Sequence, residues 1–137
     1  MFKQLLRPPL LILTTLLAVP AFAQSGFVSP LDTPALQSAK AIQAPINALA
    51  RAAGRLIAAG QRGHILYSDN ATDWVQAQVP VSSDLTALAF PTANQGWAVG
   101  HEGVVLHSSD SGKTWTKQLD GQQIAANGEL NAIDTTA

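Results

Sequence analysis

The chain has 137 residues, with eight Lys and Arg against nine Asp and Glu, a formal net charge of −1 and no cysteine. Nothing in that balance supplies the basic stripe a nucleic-acid partner calls for. The lack of cysteine excludes a disulfide framework and a lipid-modified cysteine, and a chain of this length buries one modest core.

Residues 1–23 join a basic start, Lys3 and Arg7, to the apolar run PPLLILTTLLAVPAFA, which ends in the small-x-small pattern Ala21-Phe22-Ala23. This is the layout of a secretory signal peptide cleaved before Gln24, so the chain is expected to be exported, to the periplasm or beyond the cell. Pro8, Pro9 and Pro20 keep the uninterrupted apolar core well short of the roughly 20 residues of a spanning helix, and no stable membrane span is expected after cleavage. Setting Lys3 and Arg7 aside leaves six basic residues against nine acids, a mature net charge near −3. Residues 24–46 are rich in Ala, Pro, Ser and Gln with few large apolar side chains, which predicts a flexible lead-in.

Beyond it the sequence repeats. Laying RLIAAGQRGHILYSDNATDW (55–74) over GWAVGHEGVVLHSSDSGKTW (96–115) puts Gly60 on Gly100, Gly63 on Gly103, Leu66 on Leu106 and Ser68 on Ser108, each 40 residues apart. A one-residue gap then sets Asp69 on Asp110 and Trp74 on Trp115. A period near 40 of short apolar runs between glycine turns is that of a four-stranded β-propeller blade; helical repeats of similar length need a 3.6-residue periodicity that is missing. The expected fold is all-β, with about two blades of four antiparallel strands (47–79 and 84–119) in a partial propeller spanning 47–121. RLIAAG and GWAVG, nearly all apolar or small, are expected as inner strands. GQRG and GHEG are expected to turn on glycines with positive φ, with HILYS, VVLHS, WVQAQV, TWTKQL and DLTALAF as further strands. Residues 122–137 are expected to start an incomplete third blade or form a tail.

SSDSGKTW (108–115) groups a serine, an aspartate and a lysine, and invites reading as a catalytic site. The turn reading is stronger: an Asp opening a tight turn accepts the N–H groups that follow, a glycine supplies positive φ, and a tryptophan folds beneath the hairpin. Ser108, Asp110, Gly112, Thr114 and Trp115 fill every fixed position of Ser-x-Asp-x-Gly-x-Thr-Trp. The octapeptide thereby resembles the Asp-box, or bacterial neuraminidase repeat, a folding element remote from the catalytic centre in the propellers that carry it. SDNATDW keeps Ser68, Asp69 and Trp74 and is read as a degenerate box.

AGRLIAAGQRGHILYS followed by QVPVSSDLTALAFPTANQGWAVGHEGVVLHSSDSGKTW resembles, over roughly residues 47–121, the opening blades of the photosystem II assembly and stability factor family. The resemblance implies a non-catalytic propeller that binds a protein, such as a newly made membrane-complex subunit. Members bind through an arginine-rich patch, which has no clear counterpart here, where Arg51, Arg55 and Arg62 are the only arginines beyond the first 23 residues.

The alternative is a fragment of a secreted sialidase-like glycoside hydrolase, because sialidases also carry Asp-boxes. Their sites combine an arginine cluster, a Tyr nucleophile with a Glu partner, and an acid/base Asp. One tyrosine, Tyr67, and glutamates only at 102 and 129 cannot assemble that set. HEGVV begins like His-Glu-x-x-His but carries Val105 where the second histidine belongs, and His101 and His107 lack a third ligand. His64 matches no catalytic pattern, and Asn70-Ala71-Thr72 is a glycosylation sequon by spelling alone. No catalytic, cofactor-binding or metal residue is assigned and no cofactor is expected. Two blades leave strand edges and apolar faces open, which predicts self-association, a partner chain supplying further blades, or a piece of a larger propeller; the last is the favoured expectation, and a piece without independent function is its limiting case.

Overall fold

A computed structural model describes residues 26–127. Eight strands form two four-stranded antiparallel sheets, each a meander in chain order. The first sheet holds β1 (Ile46–Ala52), β2 (Arg55–Gly60), β3 (Ile65–Ser68) and β4 (Val75–Gln76). The second holds β5 (Leu85–Ala89), β6 (Gly96–Gly100), β7 (Val105–Ser108) and β8 (Thr116–Leu119). The period-40 frame therefore describes two successive copies of one blade.

The sheets meet through β1, β2 and β5, so the first strand of each blade holds the inner position. RLIAAG and GWAVG, expected as inner strands, are the second strands β2 and β6. The expectation fails because burial in β2 comes from the neighbouring blade as well as from strand order. Ile57, Ala59 and Ile65 are fully buried and share one apolar cluster with Leu85, Ala98, Val104, Leu106 and Trp115 of the second blade. The inner strand β1 is instead mostly exposed on alternate residues, including Leu49.

Glycine turns follow β2 and β6, but only half of their glycines have positive φ. Gly63 (φ 70) and Gly103 (φ 68) do, and each follows a non-glycine in the same region, Arg62 (φ 54) or Glu102 (φ 58). Gly60 and Gly100 are extended. They are glycines because a Cβ would overlap the carbonyl oxygen of Pro45 or Asp84, the residue just before the adjoining inner strand.

The lead-in is packed rather than loose over its described part. The Ala35 N–H donates to the Val79 carbonyl at 3.0 Å and the Ser82 N–H to Pro30 at 2.8 Å, while Leu31, Ala35 and Ala41 are buried. Its low content of large apolar residues hid this, because the anchors are backbone hydrogen bonds and small side chains. At the other end a helix, α1 (Gly121–Asn127), stands where the start of a blade was expected. The Asp120 carboxylate accepts from the Gln123 N–H (2.9 Å) and the Gln123 side chain accepts from the Asp120 N–H (3.2 Å), a reciprocal cap. Residues 1–25, which include the whole expected signal peptide of residues 1–23, and 128–137 lie outside the described residues. Among the described residues no helix is long and apolar enough to cross a membrane.

Candidate functional site

The turn at 108–115 is organised by two side chains. Asp110 Oδ1 accepts from the Lys113 N–H at 3.0 Å and the Thr114 N–H at 2.9 Å, and Oδ2 accepts from the Thr114 hydroxyl at 2.6 Å. The Ser108 hydroxyl donates to Asp110 Oδ1 at 2.9 Å and accepts from the Gly112 N–H at 2.9 Å. Partial burial pushes the Asp110 carboxyl upward, yet the bonds from Thr114, Ser108 and the Lys113 N–H outweigh it and hold the group below the usual carboxylate range. A carboxylate engaged by four donors is a poor general base.

Gly112 (φ 83) lies against Ile57 of the first blade, and the Trp115 indole N–H donates to the Gly112 carbonyl at 3.1 Å. Trp115 is buried, with Phe90 edge-on at 5.8 Å. The strand after the turn meets the first blade directly: the Trp115 N–H donates to Gln78 O at 3.0 Å and the Gln78 N–H to Lys113 O at 3.2 Å. The turn thus fastens one blade to the next.

In the first blade the gap falls elsewhere than the sequence alignment put it. Asn70, not Asp69, stands in the place of Asp110, as the ungapped offset of 40 would have given: its Oδ1 accepts from the Thr72 N–H (3.0 Å), the Asp73 N–H (2.8 Å) and the Ser68 hydroxyl (3.2 Å). Ala71 (φ 63) matches Ser111 (φ 60), and the residue skipped is Gly112. Asn70 Nδ2 then donates to Asp73 Oδ2 at 2.7 Å, reversing the Thr114-to-Asp110 bond. Asp69 leaves the turn and pairs with Arg55 at 2.7 and 3.0 Å. The Arg55 guanidinium lies 4.9 Å from the Tyr67 ring centroid and also reaches the Ser111 carbonyl at 3.3 Å. Trp74 is half-buried, less enclosed than Trp115.

The remaining candidates do not converge. His107 is held by Gln95 at 2.6 Å and stacks obliquely on Trp97, and Glu102 is bonded by the Ser83 hydroxyl. No group of three or more His, Asp or Glu suited to a metal occurs among the described residues. A feature the motif reading missed is a cavity of about 460 Å³ between the lead-in and the first blade, lined by Ser38, Lys40, Arg62 and His64 among others.

Two adjoining four-stranded antiparallel blades, locked by a turn of this design, make this part of a β-propeller. The family model described as photosynthesis system II assembly factor YCF48 matches residues 46–136, and the chain belongs to that family. It is 39% identical over 70 residues to the photosystem II assembly lipoprotein Ycf48 of Nostoc sp., covering 47% of this chain and 21% of the relative. It is 33% identical over 79 residues to the photosystem II assembly protein Ycf48 of Thermosynechococcus vestitus, covering 54% and 23%. A solved structure described as YCF48 bound to D1 peptide superposes with a TM-score of 0.50 at 22% identity, over 56% of this chain and 27% of that one. The chain thus spans about a fifth to a quarter of the length of these relatives.

Proposed function

We propose that this chain is an exported, non-enzymatic propeller module that binds a protein segment, in the manner of an assembly or stability factor for a membrane complex. The observation that carries the proposal is the family match across both blades. A solved member of that family is described as bound to a D1 peptide, which supports an extended peptide of a membrane subunit as the partner class. In this reading SSDSGKTW is an Asp-box with a structural role, since Asp110 spends its acceptor capacity inside its own turn. The basic start and apolar run of residues 1–23 support export to the periplasm or beyond. The glycosidase reading has no support from the family match, and Tyr67 lies beside the Arg55 guanidinium rather than beside a glutamate. The test is fluorescence anisotropy of a dye-labelled D1 peptide titrated with the chain. Saturable binding is expected. A flat titration, beside a binding full-length cyanobacterial relative, removes the proposal.

One observation favours self-association as a second reading. Ile57 and Ile65, which the second blade covers, correspond at an offset of 40 to Trp97 and Val105, and Trp97 is 40% exposed where Ile57 is 0%. Such a face suits another blade, including one from a second copy. Light scattering after size exclusion reads it directly: a concentration-dependent mass is expected, and a monomer at all concentrations excludes it.

A further inference from the structure

The first blade differs from the second at one turn in a way that its packing does not explain. His64 and Val104 are equivalent: each follows the same glycine turn, with φ/ψ of −66/120 and −70/133. The Gly60 N–H donates to the His64 carbonyl at 3.0 Å, as Gly100 does to Val104 at 3.1 Å. Val104 is 1% exposed and fully apolar. Its counterpart carries an imidazole whose Nδ1 is buried with no hydrogen-bond partner. Buried polar groups in folded proteins ordinarily have a hydrogen-bond partner. Valine satisfies the same backbone, so the fold does not require the histidine.

The residue two positions earlier differs as well. Glu102 is engaged by the Ser83 hydroxyl, whereas the equivalent Arg62 makes no side-chain bond among the described residues; only its backbone N–H is engaged, by Asp84 Oδ1 at 2.8 Å. Arg62 and His64 line the 460 Å³ cavity, and the lead-in brings Lys40 and Ser38 to its other wall. The Lys40 ammonium has no partner among the described residues, and the Ser38 oxygen accepts from the Lys40 N–H at 3.1 Å, which leaves its proton free to donate. Pro34 and Leu36 supply an apolar side, and no acidic residue lines the space. Two cations and a free hydroxyl around a cavity of ligand size, with the accessible part of the half-buried His64 ring beside them, recognise a compact anion with a small apolar body.

We infer that the cavity between the lead-in and the first blade is a binding site for a small organic anion, a carboxylate or a phosphate. Lys40 and Arg62 provide the charge, Ser38 orients an oxygen, and the His64 ring walls the space beside them. The site is separate from the turn at 108–115, and the inference does not rest on the peptide-binding proposal.

The test is a heteronuclear NMR titration of the full chain with sodium acetate and with sodium phosphate, each against sodium chloride at equal ionic strength. Saturable shifts confined to Ser38, Lys40, Arg62 and His64 are expected with one or both anions, and the stronger of the two identifies the oxyanion class. Arg62→Gln with Lys40→Gln should weaken the response at least tenfold. His64→Val, which the second blade shows to be compatible with this backbone, should weaken it while leaving the rest of the spectrum unchanged. Shifts that track ionic strength alone, or that survive His64→Val and the double variant unchanged, overturn the inference: the cavity then holds only water.

Discussion

Replacing Asp110 distinguishes a carboxylate that organises a turn from one that merely sits in it. Asp110→Ala removes the acceptor for two backbone N–H groups and two hydroxyls. Bonds to a charged acceptor each contribute about 1.5–3 kcal/mol when buried, but the Lys113 and Thr114 amides face solvent and water takes up much of the loss, leaving about 1–3 kcal/mol in total. Asp110→Asn should cost under about 1 kcal/mol, because Asn70 already does this work in the first blade through a single oxygen. Adding Thr114→Asp to Asp110→Asn writes the Asn70–Asp73 pair into the second blade and should recover part of that small loss. Urea unfolding followed by tryptophan fluorescence measures all three, with the change in midpoint read at constant slope. If alanine proves no less stable than asparagine, the side-chain oxygen does not hold the turn and the reasoning fails.

Three further outcomes follow from the packing. Gly60→Ala drives a Cβ into the Pro45 carbonyl and should cost about 3 kcal/mol, whereas Gly54→Ala, with open space around it, should change the urea midpoint little. Asp120 is buried beside Lys117 at 2.7 Å, and that bond, with the Gln123 N–H, holds its carboxyl below the usual carboxylate range; Asp110 is lowered too. A depressed carboxyl contributes stability above its unfolded pKa of about 3.9 and loses it as pH falls through the folded value. Stability should therefore decline below about pH 4, and Asp120→Asn should flatten that decline in acid titrations monitored by circular dichroism. Asp69→Ala removes the exposed half of a pair with Arg55, whose side chain is 14% exposed, and should lower the melting midpoint only slightly, which also separates Asp69 from the turn network.

Blade architecture was legible because the repeat is written in residues that the backbone itself demands. Gly60 and Gly100 mark close approaches, Gly63 and Gly103 mark positive φ, and Ser68 and Ser108 cap turns, so the frame survives wherever side chains differ. Strand position was not legible. Both faces of β2 are covered, one of them by the neighbouring blade, so its apolar run carried no mark of being second rather than innermost. The lead-in was misread because Leu31 and Ala41 are buried by a path set through backbone bonds to Val79 and Ser82, which no local pattern announces. Asp69 was misassigned because matching aspartate to aspartate outweighed the plainer offset of 40, although an amide oxygen accepts the same N–H groups. The cationic cavity joins residues from 38 to 64 through that same lead-in, and no linear spacing brings them together.

Two copies of one blade in a single chain also provide an internal control on which differences the fold absorbs. At the turn after the third strand, aspartate with threonine has become asparagine with aspartate, and the donor and acceptor exchange places so that a bond of similar length remains: 2.6 Å in one blade and 2.7 Å in the other. The side-chain bond across the turn is rebuilt, and stability alone accounts for the exchange. At the turn after the second strand, glutamate with valine has become arginine with histidine, and the bonds are not rebuilt: the Glu102–Ser83 contact has no counterpart at Arg62, and His64 Nδ1 is buried without a partner. What the exchange adds is an unpaired guanidinium on the wall of a cavity that Lys40 also lines, which is better explained by something that enters the cavity than by drift within the fold. The same comparison weighs against a ligand at the 108–115 turn, where the network closes on itself in both blades.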